Sequence, residues 1–171
     1  MDNRLLVGIT HGDVNGIGYE VIIKMMAENK MCEVCTPVLF GSSKVAAYHR
    51  KVLNIENFNL NSIQKAQEAN AKRCNIVNCV DDAIKVDLGQ ETAESDEAAM
   101  TALKVALDAL DREEIQVLVG APQGCRSFQP AESCPAFLAA RYDARNVMPL
   151  LVGEKMKMGF VTHHLPFREV S

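Results

Sequence analysis

Apolar residues along this chain occur in two patterns: short unbroken runs, and longer stripes at three- and four-residue spacing. Residues 5–10 (LLVGIT) form a run of the first kind, followed closely by glycine and aspartate, and predict a strand buried on both faces. Residues 18–29 carry Val21, Ile22, Met25 and Met26 at helical spacing and predict a helix. Residues 37–41 (PVLFG) predict a second strand ended by glycine, and Ser42 or Ser43 can cap a helix running through Ala46, Ala47 and Val52. Residues 54–74 are asparagine-rich and irregular, a weak strand plus loop. Residues 75–80 predict another strand, and 81–90 are polar and turn-like with room for one edge strand.

The strongest helix prediction spans residues 93–112, where Ala99, Leu103, Ala106, Leu107 and Leu110 share one stripe. Residues 117–120 (VLVG) predict a further buried strand, 122–130 a loop and 135–141 a short helix. Residues 147–152 and 156–162 are two more strand candidates, interrupted by Pro149 and Gly153. Strands alternating with helices predict a single α/β domain over 1–171, with a mostly parallel sheet flanked by helices. No internal repeat or low-complexity tract is present.

Composition narrows this picture. A chain of 171 residues, 48% hydrophobic and 23% charged, can bury a real core and is not compositionally disordered. A net charge of −4 leaves no basic stripe to release counterions from a phosphate backbone, so no nucleic-acid partner is expected. The acidic stretches at Asp81-Asp82 and from Glu91 to Glu97 read as solvated surface. The first apolar run is too short for a signal peptide, and no segment approaches the roughly 18 apolar residues of a membrane span. The expectation is a cytoplasmic protein with no membrane partner.

Six cysteines are present, and Cys32-Glu33-Val34-Cys35 has the C-x-x-C spacing of zinc and redox sites. Cys74 and Cys79 make a loose second pair for a structural zinc. Reduced, buried thiols are the plain alternative in a cytosolic protein.

Three segments carry candidate chemistry. The first, residues 10–20 (THGDVNGIGYE), joins the first strand to the first helix, and Gly12, Asp13, Gly16 and Gly18 make it a candidate substrate or phosphate loop. Glycines there permit close backbone approach, and a helix N-terminus offers free N–H groups to an anion. Its spacing matches neither the dinucleotide pattern nor the P-loop with its lysine. It serves equally well as a tight strand-to-helix turn. The second segment, residues 117–122 (VLVGAP), runs off the carboxyl end of a strand, where open sheets place ligand-contacting loops or simply turn. The third is His163-His164; adjacent residues on a strand face opposite ways, so at most one of them faces a given site. One imidazole does not hold a divalent metal without further ligands.

Taken together, these segments resemble one family. THGDVNGIGYE is similar to the "T-x-GD-x-x-GIG-x-E" signature of 4-hydroxythreonine-4-phosphate dehydrogenase, an enzyme of pyridoxal-phosphate biosynthesis. FGSSKVAAYHR at 40–50, VLVGAP at 117–122 and THHLPFREV at 162–170 resemble later family segments in the same order. The resemblance implies part of the two-lobe fold of isocitrate and isopropylmalate dehydrogenases, assembled as a homodimer. It also implies a metal-dependent, NAD(P)-linked oxidation of a phosphorylated hydroxy-amino acid, 4-phosphohydroxy-threonine, followed by loss of carbon dioxide. A divalent metal would stabilise negative charge developing on the substrate oxygen. By position, the histidine of the family's "T-x-H-L-P" motif falls on His164, a metal ligand by resemblance. No catalytic residue and no cofactor-binding residue is carried over.

Two departures follow from the same comparison. The family's "P-x-N-K" stretch is replaced by Gln123-Gly124-Cys125 after Pro122, so its lysine is missing. The family's "G-H-T-E" motif aligns with Ser133-Cys134-Pro135-Ala136, which lacks the histidine and threonine that contact substrate. Family chains also continue past the H-L-P motif into further metal- and cofactor-binding segments. Three readings therefore stand: a family dehydrogenase, inactive as this short chain; a non-catalytic remnant or binding module of the same fold; or a thiol or zinc role through Cys32 and Cys35.

Overall fold

The structure, a computed structural model, describes residues 4–28, 30–128, 133–145, 147–162 and 166–169. They separate into two compact units, Met1–Ser127 and Phe128–Ser171. The first unit holds a five-stranded, wholly parallel sheet in the order β3-β4-β2-β1-β5.

Its elements follow the hydrophobic pattern closely. β1 (Leu6–Thr10) leads to α1 (Gly18–Ala27), then a four-residue helix α2 (Met31–Val34), then β2 (Thr36–Gly41). Every residue of β2 is buried, as a central strand covered on both faces requires. α3 (Ser43–Val52) begins at Ser42, whose hydroxyl accepts the Val45 N–H at 3.3 Å. β3 (Asn61–Ile63) and β4 (Asn75–Asn78) complete one side of the sheet. α4 (Ala93–Asp111) starts with a reciprocal cap between Thr92 and Ser95. It delivers the chain to β5 (Val117–Gly120) on the opposite side of β1.

Side chains alternating along the strands form two cores. Ile9, Leu39 and Ile76 pack with Ile22, Ile23 and Met26 of α1 and with Val45 and Ala46 of α3. Val38, Phe40 and Val77 pack with Ala106 and Ala109 of α4 and with Ile115. Helices therefore cover both faces, as the expected α/β class demands.

Several sequence expectations need correction. Val21 belongs to the predicted helical stripe yet is exposed, because α1 buries Ile22, Ile23 and Met26 instead. The 117–120 strand is not buried: β5 lies at the sheet edge, with Val117 39% and Val119 48% exposed. Residues 81–90 form turns without a strand. α2 had no periodic signal, since four residues are too few to show one.

Asn75 organises the asparagine-rich stretch. Buried at the start of β4, its amide donates to the carbonyls of Pro37, Asn70 and Arg73, and its oxygen accepts from Asn61 and from the Asn70 N–H. A buried amide with all its groups paired fixes the loop that propensity alone left undefined.

The second unit contains α5 (Cys134–Arg141) and an antiparallel pair, β6 (Leu150–Val152) and β7 (Lys157–Gly159). The two predicted strands are thus a short hairpin rather than additions to a parallel sheet; Pro149 precedes it, and Gly153 N–H donates to the Met156 carbonyl across its turn. Leu150, Leu151, Val152, Met156 and Met158 are all exposed. Among the described residues, no helix is long and apolar enough to cross a membrane.

Candidate functional site

The sheet order creates one topological switch point. From β1 the chain moves to β2 on one side, and α4 returns it to β5 on the other. Ligands of open α/β sheets bind outside the carboxyl ends of strands at such a point. Both glycine-bearing segments singled out in the sequence meet there.

Their junction is backbone on backbone. Ala121 N–H donates to the Thr10 carbonyl at 3.1 Å, and Asp13 N–H donates to the Pro122 carbonyl at 3.0 Å. Gly12 sits at φ +70°, and a Cβ there would lie 2.2 Å from the Pro122 oxygen. A Cβ on Gly18 would lie 1.9 Å from the His11 carbonyl oxygen. These two glycines let the loop, β5 and the start of α1 approach each other.

Gly16 and Asp13 serve the turn itself. Asn15 N–H donates to Asp13 Oδ1 at 2.9 Å and Gly16 N–H to the Asp13 carbonyl at 3.2 Å. The Asp13, Asn15 and Gly16 amides are thereby paired within the turn and to β5. Residues 10–20 thus form a packed turn whose half-buried outer edge is Asp13, Gly16 and the exposed Ile17.

Sequence reasoning missed Asn15, which connects this turn to the entry of α4. Its Nδ2 donates to the Gln90 carbonyl at 3.0 Å and lies 3.3 Å from Thr92 Oγ1. Its Oδ1 accepts from Asp87 N–H at 2.8 Å, and its carbonyl from Gly89 N–H at 2.8 Å. The only prior signal was an asparagine inside a glycine-rich turn, a place where the residue is common for purely local reasons. Beyond this clamp opens a cavity of about 560 Å³, lined by Asp81, Lys85, Asp87, Thr92, Glu94 and Glu97 among others. After β5, Ser127 Oγ donates to Asp96 Oδ1 at 2.6 Å, and Arg126 lies within 3.5 Å of both Asp96 and Glu91. Gln123 Nε2 is buried without a hydrogen-bond partner.

Behind the turn lies an aromatic stack. His11 and Tyr19 have ring centroids 5.1 Å apart at 14°, and Tyr19 and His49 are 5.1 Å apart at 16°. His49 Nε2–H donates to the Val14 carbonyl at 2.8 Å. The Tyr19 hydroxyl accepts the Ser42 N–H at 3.0 Å, and Ser42 Oγ donates to Asp82 at 2.7 Å. His11 is fully buried, and neither ring nitrogen has a partner at hydrogen-bonding geometry. Burial holds its pKa down at about 4; backbone groups of Gly12 and Ala98 oppose the shift without cancelling it. Burial also lowers His49 and raises the Tyr19 hydroxyl. The stack is a neutral structural core.

Metal ligation finds little support in this set. His163 and His164 lie outside the described residues. Among the described residues, no group of three or more His, Cys, Asp or Glu is arranged to hold a metal ion. His11 and His49 are taken up by the stack. Cys32, Cys35 and Cys74 are buried together at the opposite, amino-terminal edge of the sheet, so the zinc reading of the C-x-x-C spacing gains no ligand set there. Ser133 and Pro135 act locally: the Ser133 hydroxyl accepts the Ala136 N–H and caps α5, with Pro135 in its first turn.

Comparison with known proteins agrees with this architecture. The family model described as pyridoxal phosphate biosynthetic protein PdxA matches residues 33–171. A 4-hydroxythreonine-4-phosphate dehydrogenase of Bacteroides thetaiotaomicron is 38% identical over 176 aligned residues, covering 99% of this chain and 48% of the relative. A crystal structure of a 4-hydroxythreonine-4-phosphate dehydrogenase from Burkholderia phymatum superposes with a TM-score of 0.82 at 22% identity, covering 96% of this chain and 52% of that one. One from Klebsiella pneumoniae gives 0.83 at 20% identity, covering 97% and 52%. The chain spans about half the length of the curated relatives it matches. With a family match over most of its residues and the same fold in its structural neighbours, the chain belongs to the PdxA family of pyridoxal phosphate biosynthetic proteins.

Proposed function

We propose that this chain forms the N-terminal α/β part of a dehydrogenase of pyridoxal-phosphate biosynthesis. Its substrate is a phosphorylated hydroxy-amino acid, 4-phosphohydroxy-threonine, oxidised with NAD(P) and a divalent cation. The observation that carries this reading is the junction of Gly12 with Pro122, which sets both motif loops at the carboxyl ends of β1 and β5 on the switch point. Asp13, Gly16 and Ile17 form the edge of the turn that faces substrate, with Gly12 and Gly18 supplying the close approach behind it. His164 is this chain's contribution to the metal site, and the other ligands come from outside these residues, the partner of a homodimer included. The protein works in the cytoplasm.

As 171 residues the chain does not turn over. Gln123-Gly124-Cys125 supplies no lysine after Pro122, and Ser133 to Ala136 supply a helix cap where the family's substrate motif stands. A single imidazole also leaves a divalent cation short of the three protein ligands of a catalytic site. Calorimetric titration of the folded chain with the cation and with NAD is expected to show binding weaker than about 1 mM for each. Tight binding of both would place a complete site within these residues and overturn this part of the proposal.

A further inference from the structure

The C-x-x-C spacing points to Cys35 as the partner of Cys32, but the fold chooses differently. Cys32 Sγ lies 3.8 Å from Cys74 Sγ, across 42 residues of sequence, in direct contact. All three thiols are buried, at 7% exposure for Cys32 and 5% for Cys35 and Cys74. They lie at the amino-terminal edge of the sheet, where β2 and β4 begin, so nothing in the switch-point site uses them.

The two contacting cysteines sit on unequal supports. Cys74 immediately precedes Asn75, whose amide bonds to Pro37, Asn70, Arg73 and Asn61 make that backbone rigid. Cys32 belongs to α2, a single helical turn with no side-chain cap and with Val34 75% exposed. The Arg4 guanidinium donates to the Cys32 carbonyl, and the Cys35 N–H closes the turn onto the Met31 carbonyl. Bringing the sulfurs from contact to a bond of about 2.05 Å takes a shift of roughly 1.8 Å, which a single helical turn supplies by rotation of the Cys32 side chain and a small movement of α2.

We propose that Cys32 and Cys74 are a reversible disulfide pair, oxidised by a low-molecular-weight disulfide R–S–S–R and locking α2 onto the start of β4. One cysteine thiolate attacks the reagent and expels R–S⁻, leaving a mixed disulfide. The second thiolate attacks the protein sulfur of that mixed disulfide and expels the other R–S⁻. The two protons given up by the cysteines pass to the two leaving thiolates. One S–S bond forms in the protein, one breaks in the reagent, and the reagent is reduced to two R–SH. Burial, with Cys32 adding to it, pushes the Cys74 thiol up to about 12, so little thiolate is present at neutral pH and the exchange is slow. The pair is independent of the dehydrogenase reading and stands or falls separately.

Incubation of the folded full chain with oxidised glutathione, alkylation under denaturing conditions and peptide mapping test the pair. The expected product carries a Cys32–Cys74 linked peptide, leaves four of the six cysteines alkylatable, and reverts with dithiothreitol. Cys35→Ala keeps the link. By loop-closure entropy, cross-linking a loop of this length raises the thermal midpoint by roughly 8–16 °C. A Cys32–Cys35 link, glutathione adducts without a link, or six cysteines still alkylatable would each overturn the proposal. Because the wild-type chain is mapped directly, the outcome does not depend on whether any variant folds.

Discussion

Gly12→Ala is expected to lower unfolding stability by about 3–5 kcal/mol, among the largest losses a single added methyl can cause in this chain. Three costs add. The residue sits at φ +70°, where a side chain costs about 1 kcal/mol. The new Cβ falls 2.2 Å from the Pro122 oxygen and 2.9 Å from its carbonyl carbon, backbone atoms that have no rotamer to escape into. Relieving that overlap moves β5 away from the turn and breaks the Asp13 N–H bond to Pro122, worth about 1 kcal/mol. Gly89 is the internal control. Its φ is +76° and a Cβ there would have nothing within 4 Å, so Gly89→Ala meets only the dihedral cost of about 1 kcal/mol. Urea unfolding of both variants separates the contributions. Equal losses would mean that the β1–β5 junction is not the tight element described, and the geometric basis of the site would fail with it.

Acid is expected to destabilise the fold through His11 well before carboxylates titrate. The folded-state pKa is about 4 and the ordinary value is 6.5, so between these the unfolded chain binds more protons than the native one. The native advantage is therefore full above pH 6.5 and is lost as pH falls toward 4. The loss is about 1.4 kcal/mol per pH unit within that window, about 2 kcal/mol by pH 5 and about 3 kcal/mol in all. His49, also lowered by burial, acts in the same direction. His11→Phe keeps an aromatic ring against Tyr19 and removes the titration. Urea midpoints measured at pH 7 and pH 5 should converge in this variant relative to the parent protein. An unchanged pH dependence would show that His11 does not carry the effect.

Much of the fold was readable in the chain because local signals and packing agree. The continuous runs at β1 and β2 mark strands covered on both faces, and the α4 stripe from Ala99 to Leu107 is the stripe that packs. Ser42 caps α3 as its position suggests. What escaped notice depends on distant partners. Asn15 reads as a turn residue and Asn75 as the first residue of a strand, yet each is buried and fully bonded through its side chain, Asn15 to groups more than 70 positions away. Cys74 is the thiol against Cys32, although C-x-x-C spacing favours Cys35. β5 has the composition of a buried strand but lies at an edge, because burial depends on what stands beside a strand and not on its own residues.

For the candidate site, the sequence singled out both motif loops, and the sheet order brings them together at the carboxyl ends of β1 and β5. The roles of individual residues were less legible. Gly12 and Gly18 act through backbone proximity, which periodicity does not report. The two histidines that could have completed a metal site are held in a neutral stack instead.

The central proposal is that this chain supplies part of the family fold and, by itself, not the family's complete chemistry. It is tested most directly by formation of reduced nicotinamide when the purified, folded 171-residue chain receives 4-phosphohydroxy-threonine, a divalent cation and NAD or NADP. The account predicts no reduction above a protein-free control. Saturable reduction that requires both the phosphorylated substrate and the cation would contradict it.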